Sequence, residues 1–360
     1  MIRNLFKKIL YGFLVLLGVI TVIFFLFNAM PGDPARMMLG QRADQESIDA
    51  INKDIGRDKQ LNIQFLMYLN DLSPISIHDK INIEHYLYLN PEKYASYLTL
   101  LSISKTKVIV LKYPYLRRSY QTKRKVTEII GDTLPETILL AVTAMTFASF
   151  FGIFLGVISA IKKNSWFDKL ALVFTVLGMA GPSFFVGLIL AWIFGHLLNK
   201  YTGLNTVGSL YTLDDYGNGT YLDIKNLILP AITLGIRPLS IILQLTRSSL
   251  LEVLSQDYIR TATAKGLSYY KIIVKHALKN ALNPVITAIS GWFAGLLAGA
   301  VFVEYIFSWK GIGKEIVEAL EKYDLPVVMG IVLVIAIIFV ILNLLVDVVY
   351  SILDPRIRLR

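Results

Sequence analysis

Residues 247–284 of the 360-residue chain read RSSLLEVLSQDYIRTATAKGLSYYKIIVKHALKNALNP, a polar segment between two apolar stretches. The pattern predicts a short helix on either side of Gly266. In the second helix, apolar and basic residues separate onto two faces, with Ile272, Ile273, Ala277 and Leu278 on one and Lys271, Lys275 and Lys279 on the other. Two interpretations are open: a helix that lies along a membrane surface, or a docking site for another protein.

The composition places the chain in a lipid membrane. Hydrophobic residues make up 55% of it and charged residues 17%, which is more apolar than a soluble domain of this length needs. The absence of cysteine excludes a disulfide framework and a thiolate metal site. The formal net charge is +10, but the basic residues lie mainly beside apolar stretches and in one long loop. Membrane topology explains the charge better than nucleic acid binding does, so no nucleic acid partner is expected.

Six stretches are long and apolar enough to cross the hydrocarbon core, for which a helix needs about 20 residues. They are 9–30, 134–161, 170–198, 227–250, 284–307 and 326–353. The first resembles a signal peptide in position, but it exceeds the usual apolar length of about 7–15 residues and no clear cleavage site follows it. We therefore expect an all-α, multi-pass membrane protein with six transmembrane helices.

Basic residues indicate which ends of the spans face the cytoplasm. They lie at 3–8, 162–169, 247–279 and 356–360. With six spans, this arrangement puts both termini in the cytoplasm and the loops near 199–226 and 307–326 outside. Residues 31–133 then form an extracytoplasmic cap, whose short apolar runs fit helix and strand alike. The basic stretch 105–125 does not oppose this topology, because long loops are translocated largely regardless of charge.

The sequence lacks the patterns of the common catalytic sites. No Gly-rich loop ending in Lys-Ser or Lys-Thr is present to cradle the phosphates of ATP. The four histidines, His78, His85, His196 and His276, have neither metal-ligand spacing nor partner cysteines. A GxSxG nucleophile elbow is also absent. We therefore expect no catalytic, cofactor-binding or metal-binding residues on this chain.

The run QDYIRTATAKGLSYYKIIVKHALKNALNPV at 256–285 resembles the cytoplasmic loop of dipeptide and oligopeptide permeases of ABC importers. In the EAA-type motif of importer permeases, Arg260-Thr261-Ala262 take the Glu-Ala-Ala positions and Gly266 matches the family glycine. Leu278-Lys279 replace the Leu-Pro end of the general motif, a variation that the peptide-permease branch shares.

Other matches to the family are spread along the chain. They are PGDPA at 31–35, LRRSYQTKRKVTEIIGDTLPETILL at 116–140, LTRSSLLEV at 245–253, FVEYIFSWKGIGK at 302–314 and LDPRIRLR at 353–360. Residues 70–115 look like an insertion relative to the family. The combined pattern is specific for the permease class and says little about the substrate.

The resemblance implies a permease of the type I ABC importer kind. An N-terminal transmembrane helix would occupy 1–30, the inserted extracytoplasmic cap 31–133, and a core permease domain 134–360, with a cytoplasmic coupling loop at 250–283. Such a subunit translocates di- or oligopeptides or similar small solutes across the inner or plasma membrane and is not itself an enzyme. An ion-gradient-driven secondary transporter or channel is the alternative, but it usually needs more spans and coupling charges in mid-membrane.

The resemblance also implies partners and residues that contact them. The partners would be a second homologous permease, two ATP-binding cassette ATPases that hold the ATP and Mg, a solute-binding protein and membrane lipid. The first short helix of the loop would insert into a groove on an ATPase. The candidate coupling residues are Asp257, Tyr258, Arg260, Ala262, Ala264, Lys265 and Gly266.

Glycines predict close packing of the spans. Gly291, Gly295 and Gly299 recur at every fourth position of the fifth span, so their helix can approach another closely. The neighbour is either another helix of this chain or a second permease. Gly152 and Gly156 form a weaker copy of the pattern in the second span.

Two charged residues of the spans are candidates for the translocation path. Arg237 stands beside the helix-breaking Pro238 in the fourth span and should face water, the pore or an acidic partner such as Asp347. Glu304 lies near the outer end of the fifth span and is a candidate gate or receptor contact.

Overall fold

The computed structural model describes residues 2–29, 48, 52, 56–83, 85–91, 93–94, 96–214 and 219–353. Its helices are α1 (Ile2–Ala29), α2 (Leu61–Leu72), α3 (Val126–Ile161), α4 (Trp166–Ala180), α5 (Ser183–Leu190), α6 (Asn199–Thr202), α7 (Lys225–Leu254), α8 (Asp257–Ala264), α9 (Tyr269–Lys271), α10 (Leu278–Ala281), α11 (Asn283–Gly299), α12 (Val301–Phe307), α13 (Ile312–Glu321) and α14 (Leu325–Leu353). Two π-helical segments are π1 (Ala191–Leu197) and π2 (Ile272–Ala277). The motif at 31–35 and residues 354–360 of the C-terminal motif lie outside the described residues.

Five short strands accompany the helices in the described part of the chain. They are β1 (Ile75–Asp79), β2 (Tyr97–Ser102), β3 (Lys107–Lys112), β4 (Tyr211–Leu213) and β5 (Thr220–Leu222). The first three form one sheet in the order β1-β3-β2, and the last two form a hairpin in the predicted loop 199–226. An all-α description therefore applies to the spans and not to the segments between them.

Four helices are long and apolar enough to cross a membrane: Lys7–Leu26 within α1, all of α3, all of α7, and Leu325–Val346 within α14. Two pairs of shorter helices pass the same test together but are bent. Trp166–Ala180 and Ser183–Leu197 meet at 112°, and Asn283–Leu297 and Val301–Phe307 meet at 57°. Counting each bent pair as one span gives up to six among the described residues, the number expected from the sequence.

The break in the third predicted span falls at Gly181-Pro182. Gly181 is extended, with φ −76° and ψ 136°, because the ring of a following proline disfavours helical geometry at the residue before it. The stretch 170–198 is therefore not one straight helix, although its hydropathy is continuous.

Helix α7 is central to one compact unit, which lies within Met1–Phe13, Thr133–Val317 and Ile335–Arg360. Of its apolar window, 61% is buried inside the chain, against 33% for α3. It packs against α4, α5, α11 and α12. Pro230 and Pro238 lie inside this helix without interrupting it, so the fourth span is a single helix.

Two glycines of α3 allow that helix to approach α7 closely. A Cβ at Gly152 would lie 2.8 Å from Ile242 Cγ2, and one at Gly156 would lie 2.7 Å from Thr246 Cβ and 2.8 Å from the carbonyl oxygen of Leu243. These separations are too short for a side chain at either position. The weaker of the two glycine patterns is therefore a tight contact within the chain.

The second compact unit lies within Leu14–Asp132 and Glu318–Val334. Phe24 of α1 packs against Phe65 and Tyr68 of α2, with ring centroids 5.1 and 5.7 Å apart. Buried Asp324 accepts hydrogen bonds from the hydroxyl of Ser119 and, at 2.9 Å, from the N–H of Tyr120. The carboxylate of Asp324 thus fixes the segment that leads into α3.

We expect Gly156→Val to destabilise the chain by about 1–3 kcal/mol, because the added side chain must push α3 away from α7. Thermal unfolding of the purified protein in detergent measures the effect. Gly295→Val is the matched control, since no atom of the described residues lies within 4 Å of a Cβ built at Gly295. Equal unfolding temperatures for the two variants would contradict the assigned contact.

Candidate functional site

Helix α8 carries most of the predicted coupling residues, and the chain holds this helix by one side. Ile259 and Ala262 are 5% and 7% exposed, and three residues along a helix they share one face. They belong to a buried apolar cluster with Ala160, Leu250, Ile272, Ala277 and Ala281. Ala160 lies in the last turn of α3 and Leu250 in the last turns of α7. Helix α8 is therefore packed directly against the ends of two long helices.

The opposite side of α8 is open to solvent. Asp257, Tyr258, Arg260, Ala264 and Lys265 are all exposed. Arg260 Nη1 and Asp257 Oδ1 are 3.3 Å apart, with the two side chains 75% and 95% exposed, so this ion pair contributes little stability. The structure thus brings six of the seven candidates to one surface that includes the turn at Gly266, while Ala262 faces its own chain.

Gly266 ends α8 in a left-handed conformation. Its φ is +76°, which glycine adopts at no steric cost. Its N–H donates to the Thr263 carbonyl at 2.9 Å, and the N–H of Leu267 donates to the Ala262 carbonyl at 3.4 Å, the pair of bonds that defines a Schellman cap. The predicted separation of two short helices at Gly266 is confirmed, and a Cβ there would meet no atom within 4 Å among the described residues.

The helical stretch after Gly266 covers the inner side of the loop. Ile272, Ile273 and Ala277 are buried, whereas Lys271, Lys275 and Lys279 are exposed, so the predicted separation of apolar and basic faces is confirmed. Ile272 and Ala277 pack in the same cluster as Ile259. The apolar face is therefore covered by the chain itself, which weakens the interpretation of this helix as one that lies on lipid.

A partly buried ion pair that the sequence did not reveal lies just before this loop. Arg247 of α7 makes two bonds to Asp168 of α4, Nε to Oδ1 at 2.6 Å and Nη2 to Oδ2 at 2.8 Å. Ser159 of α3 donates to the same carboxylate at 2.5 Å, and the N–H of Asn164 donates at 2.9 Å. Asp168 is 2% exposed, so its charge is compensated entirely by these partners. The ends of three spans therefore meet at one carboxylate.

One local signal for Asp168 was present in the sequence. Its N–H donates to the hydroxyl of Ser165 at 3.3 Å, which is the Ser-x-x-Asp arrangement of a helix N-terminus. The distant partner Arg247 is 79 residues away, and no periodicity relates the two positions.

The glycines of α11 lie on an open face of the chain. Gly291 and Gly295 are exposed, and a Cβ at either would meet nothing within 4 Å among the described residues. Gly299 ends the same helix, but the surroundings of its side are not described. Gly291 and Gly295 therefore do not mediate packing within the chain, which was one of the two interpretations of this pattern.

Arg237 lies on an exposed side of α7. Its guanidinium carbon is 5.9 Å from the ring centroid of Trp292 on α11, the distance of a cation–π contact. The suggested partner Asp347 has its side chain outside the described part of the structure. Among the described residues, no ion pair joins Arg237 to a carboxylate.

Glu304 is fully buried rather than exposed at an outer surface. Its Oε2 accepts from the N–H of Gly313 at 2.7 Å and of Lys314 at 3.3 Å, which are first-turn donors of α13. The indole of Trp309 donates to the carbonyl of Glu136 at 3.0 Å in the same region. This carboxylate caps a helix inside the chain, so Glu304 does not line an open path in this conformation.

Within the described part of the chain, no three His, Asp or Glu side chains are grouped so that they could hold a metal ion.

Comparisons with known proteins find relatives that match almost the whole chain. A family model described as "Binding-protein-dependent transport system inner membrane component" matches residues 152–359, and the corresponding N-terminal model matches residues 1–85. The chain is 36% identical to the dipeptide transport system permease protein DppB of Alkalihalophilus pseudofirmus, over 99% of this chain and 100% of that protein.

Two further relatives are similar over nearly their whole length. The di/tripeptide transport system permease protein DppB of Pseudomonas aeruginosa is 35% identical, over 95% of this chain and 94% of that protein. The glutathione transport system permease protein GsiC of Pectobacterium atrosepticum is 33% identical, over 99% of both.

Removing one partner of the buried ion pair should be strongly destabilising. We expect Arg247→Met to lower the free energy of unfolding by about 3–5 kcal/mol, because it leaves Asp168 charged and unpaired. The double variant Asp168→Asn/Arg247→Met should recover part of this loss, as a double-mutant cycle of thermal unfolding would measure. Lys169→Met, at the exposed neighbouring position, is the control. Equal effects of Arg247→Met and Lys169→Met would refute the role of the pair.

Proposed function

We propose that this chain, which belongs to the family of inner membrane components of binding-protein-dependent transport systems, is a permease subunit of an ATP-driven importer of small peptides. In this proposal α8 is the element that a cytoplasmic ATPase grips. The observation that carries the proposal is the two-sided character of α8, which is packed on its own chain through Ile259 and Ala262 and open on its other side.

The packing of α8 suggests how movement of an ATPase would reach the membrane. Ile259 and Ala262 share one cluster with the ends of α3 and α7, so a displacement of α8 moves both helix ends. The Asp168–Arg247 pair, together with Ser159, ties the same ends to α4. Rigid helices joined in this way can change between two packings as one body, which is what alternating access needs.

The rest of the proposed assembly follows from the family. Two ATPase subunits would hold ATP and Mg on the cytoplasmic side, next to α8. A solute-binding protein would deliver the substrate outside, where residues 31–133 would form the cap, and both termini would be cytoplasmic. The spans would have the type I importer arrangement. The bent pairs within the third and fifth spans, at 112° and 57°, then belong to the permease core.

We assign the open face of α11 to the second permease. A Cβ built at Gly291 or Gly295 would meet no other part of the described residues within 4 Å. Small residues matter where another helix backbone must come close, whereas lipid tails have no such need. Arg237 and Trp292 are near this face. A cation at membrane depth on an exposed side is expected to face a water-filled cavity, so Arg237 would line the translocation path between the two permeases.

Peptides are the substrate class that the relatives favour. The relatives' names specify dipeptides, di- and tripeptides, and glutathione, and all three are short peptides with a free carboxylate. We therefore assign small peptides to this chain as well.

Gly266→Asp is expected to reduce peptide uptake at least about tenfold, the equivalent of about 1.4 kcal/mol of lost coupling. The aspartate side chain would strain the left-handed backbone at position 266. It would also project from the surface that the ATPase is proposed to contact. Uptake of labelled dipeptide by proteoliposomes and co-purification of the ATPase measure the effect, with membrane insertion unchanged. Gly203→Asp is a matched control, because Gly203 also has a positive φ, +63°, and lies in the predicted outer loop. Normal uptake by Gly266→Asp would count against the coupling assignment.

Gly295→Val should leave the isolated chain folded but block its association with the second permease. The reason is that the added side chain meets free space in this chain and would collide with a helix packed against it. Size-exclusion chromatography with light scattering on the co-expressed permeases measures their assembly. Leu345→Val, at an exposed position, is the control. Full assembly of the Gly295→Val protein would remove this face from the proposed interface.

A further inference from the structure

The cap contains a cationic cavity that the coupling role of the chain leaves unexplained. Its volume is about 220 Å³, and Lys93, Arg117 and Lys125 line it together with the rings of Tyr94 and Tyr115. Among the described residues no carboxylate lines the cavity. Three cations around one small space create a positive potential that favours an anionic occupant.

One carboxylate close to the cavity, that of Asp71, does not line it. Asp71 is 3% exposed and sits 2.8 Å from Lys93 Nζ, while the Tyr94 hydroxyl donates to it at 2.6 Å. Lys112 Nζ donates to the main-chain carbonyl of Asp71 at 2.8 Å. Asp71 is thus already engaged by its neighbours.

Among the described residues, no carboxylate is paired with Arg117 or Lys125 in this way. Within the described part of the chain, no ion pair joins either side chain to a carboxylate. The Arg117 guanidinium lies over the ring of Tyr68, 5.4 Å from its centroid, and its backbone has a φ of +66°. An arginine in this left-handed region is uncommon, and such backbone strain is concentrated at binding sites.

A second hollow of about 510 Å³ adjoins the cationic cavity and shares Ser96, Tyr113 and Pro114 with it. Its other walls include Pro74, Leu98 and Leu111, so it is mainly apolar. Lys112 also borders this hollow, and burial lowers the pKa of Lys112 to about 8 against the opposing effect of Asp71. A ligand with an anionic group in the cationic cavity and an apolar group in the adjoining hollow would match the linings of both.

We propose that the cap binds the carboxyl-terminal end of a peptide, with the terminal carboxylate between Arg117 and Lys125 and the last side chain in the apolar hollow. The assignment of this carboxylate to a peptide rests on the proposed function. Arginine and lysine are the side chains that bind carboxylates through charge-assisted hydrogen bonds. A phosphate would suit the cations equally well, so an anionic lipid is the competing occupant that the test below distinguishes.

The test compares an acid with its amide. The full chain in phosphatidylcholine nanodiscs is titrated calorimetrically with the dipeptide Ala-Phe and with its C-terminal amide. We expect the acid to bind at least about tenfold more tightly, the effect of one charge-assisted hydrogen bond or more. Arg117→Gln and Lys125→Gln should each reduce the affinity for the acid towards that of the amide. Lys105→Gln, an exposed cation of the same cap, should not change it.

Equal affinity for acid and amide would overturn the proposal, and this comparison needs no variant that might misfold. Affinity for Ala-Phe that is unchanged in both glutamine variants would overturn it as well. Adding phosphatidylglycerol to the nanodiscs tests the lipid source, and abolition of Ala-Phe binding by that lipid would assign the site to a headgroup instead. Peptide uptake by the assembled transporter is measured separately. Binding of the acid without uptake refutes the proposed function alone, whereas uptake with equal binding of acid and amide refutes this inference alone.

Discussion

The buried carboxylate of Asp168 is the interaction on which one end of the helix bundle depends. A charge that is 2% exposed is tolerated only if its partners replace water completely, and Arg247, Ser159 and the N–H of Asn164 do so. These partners come from α3, α7 and the turn before α4. Because that turn and both helices must be in place at once for the carboxylate to be satisfied, the helix ends behave as one body.

Helix α8 is attached to that body by apolar contacts rather than by charge. Ile259 and Ala262 enter the cluster formed by Ala160 and Leu250, and the Schellman cap at Gly266 ends the helix before it can leave the surface. The polar side chains of α8 are left outside, where they contribute little to folding. The inner side of α8 thus packs within the chain, whereas its outer side is exposed. This arrangement suits a helix that binds a partner.

The sequence predicted the spans and the two faces of the loop, because both depend on local periodicity. It did not predict the break at Gly181-Pro182, since hydropathy is continuous across it, nor the pairing of Asp168 with Arg247, since many acids and bases could have met across 79 residues. The two glycine patterns look alike in sequence, yet Gly152 and Gly156 pack inside the chain whereas Gly291 and Gly295 face outward. Only the arrangement of helices around α7 decides between them. The strands β1, β2 and β3 could not be predicted either, because runs of five or six residues fit helix and strand alike.

The central claim is that the outer side of α8 meets an ATPase in the cytoplasm, and the absence of cysteine from the chain makes a direct measurement possible. A single cysteine at Ala264, which is exposed on α8, can be joined by a short bifunctional reagent to a co-expressed ATPase in inside-out vesicles. The account predicts a cross-linked product whose yield changes with ATP, and none from a cysteine at Tyr201 in the opposite loop. Labelling of the Ala264 cysteine by an impermeant reagent added outside intact cells, with no cross-link to the ATPase, would contradict it.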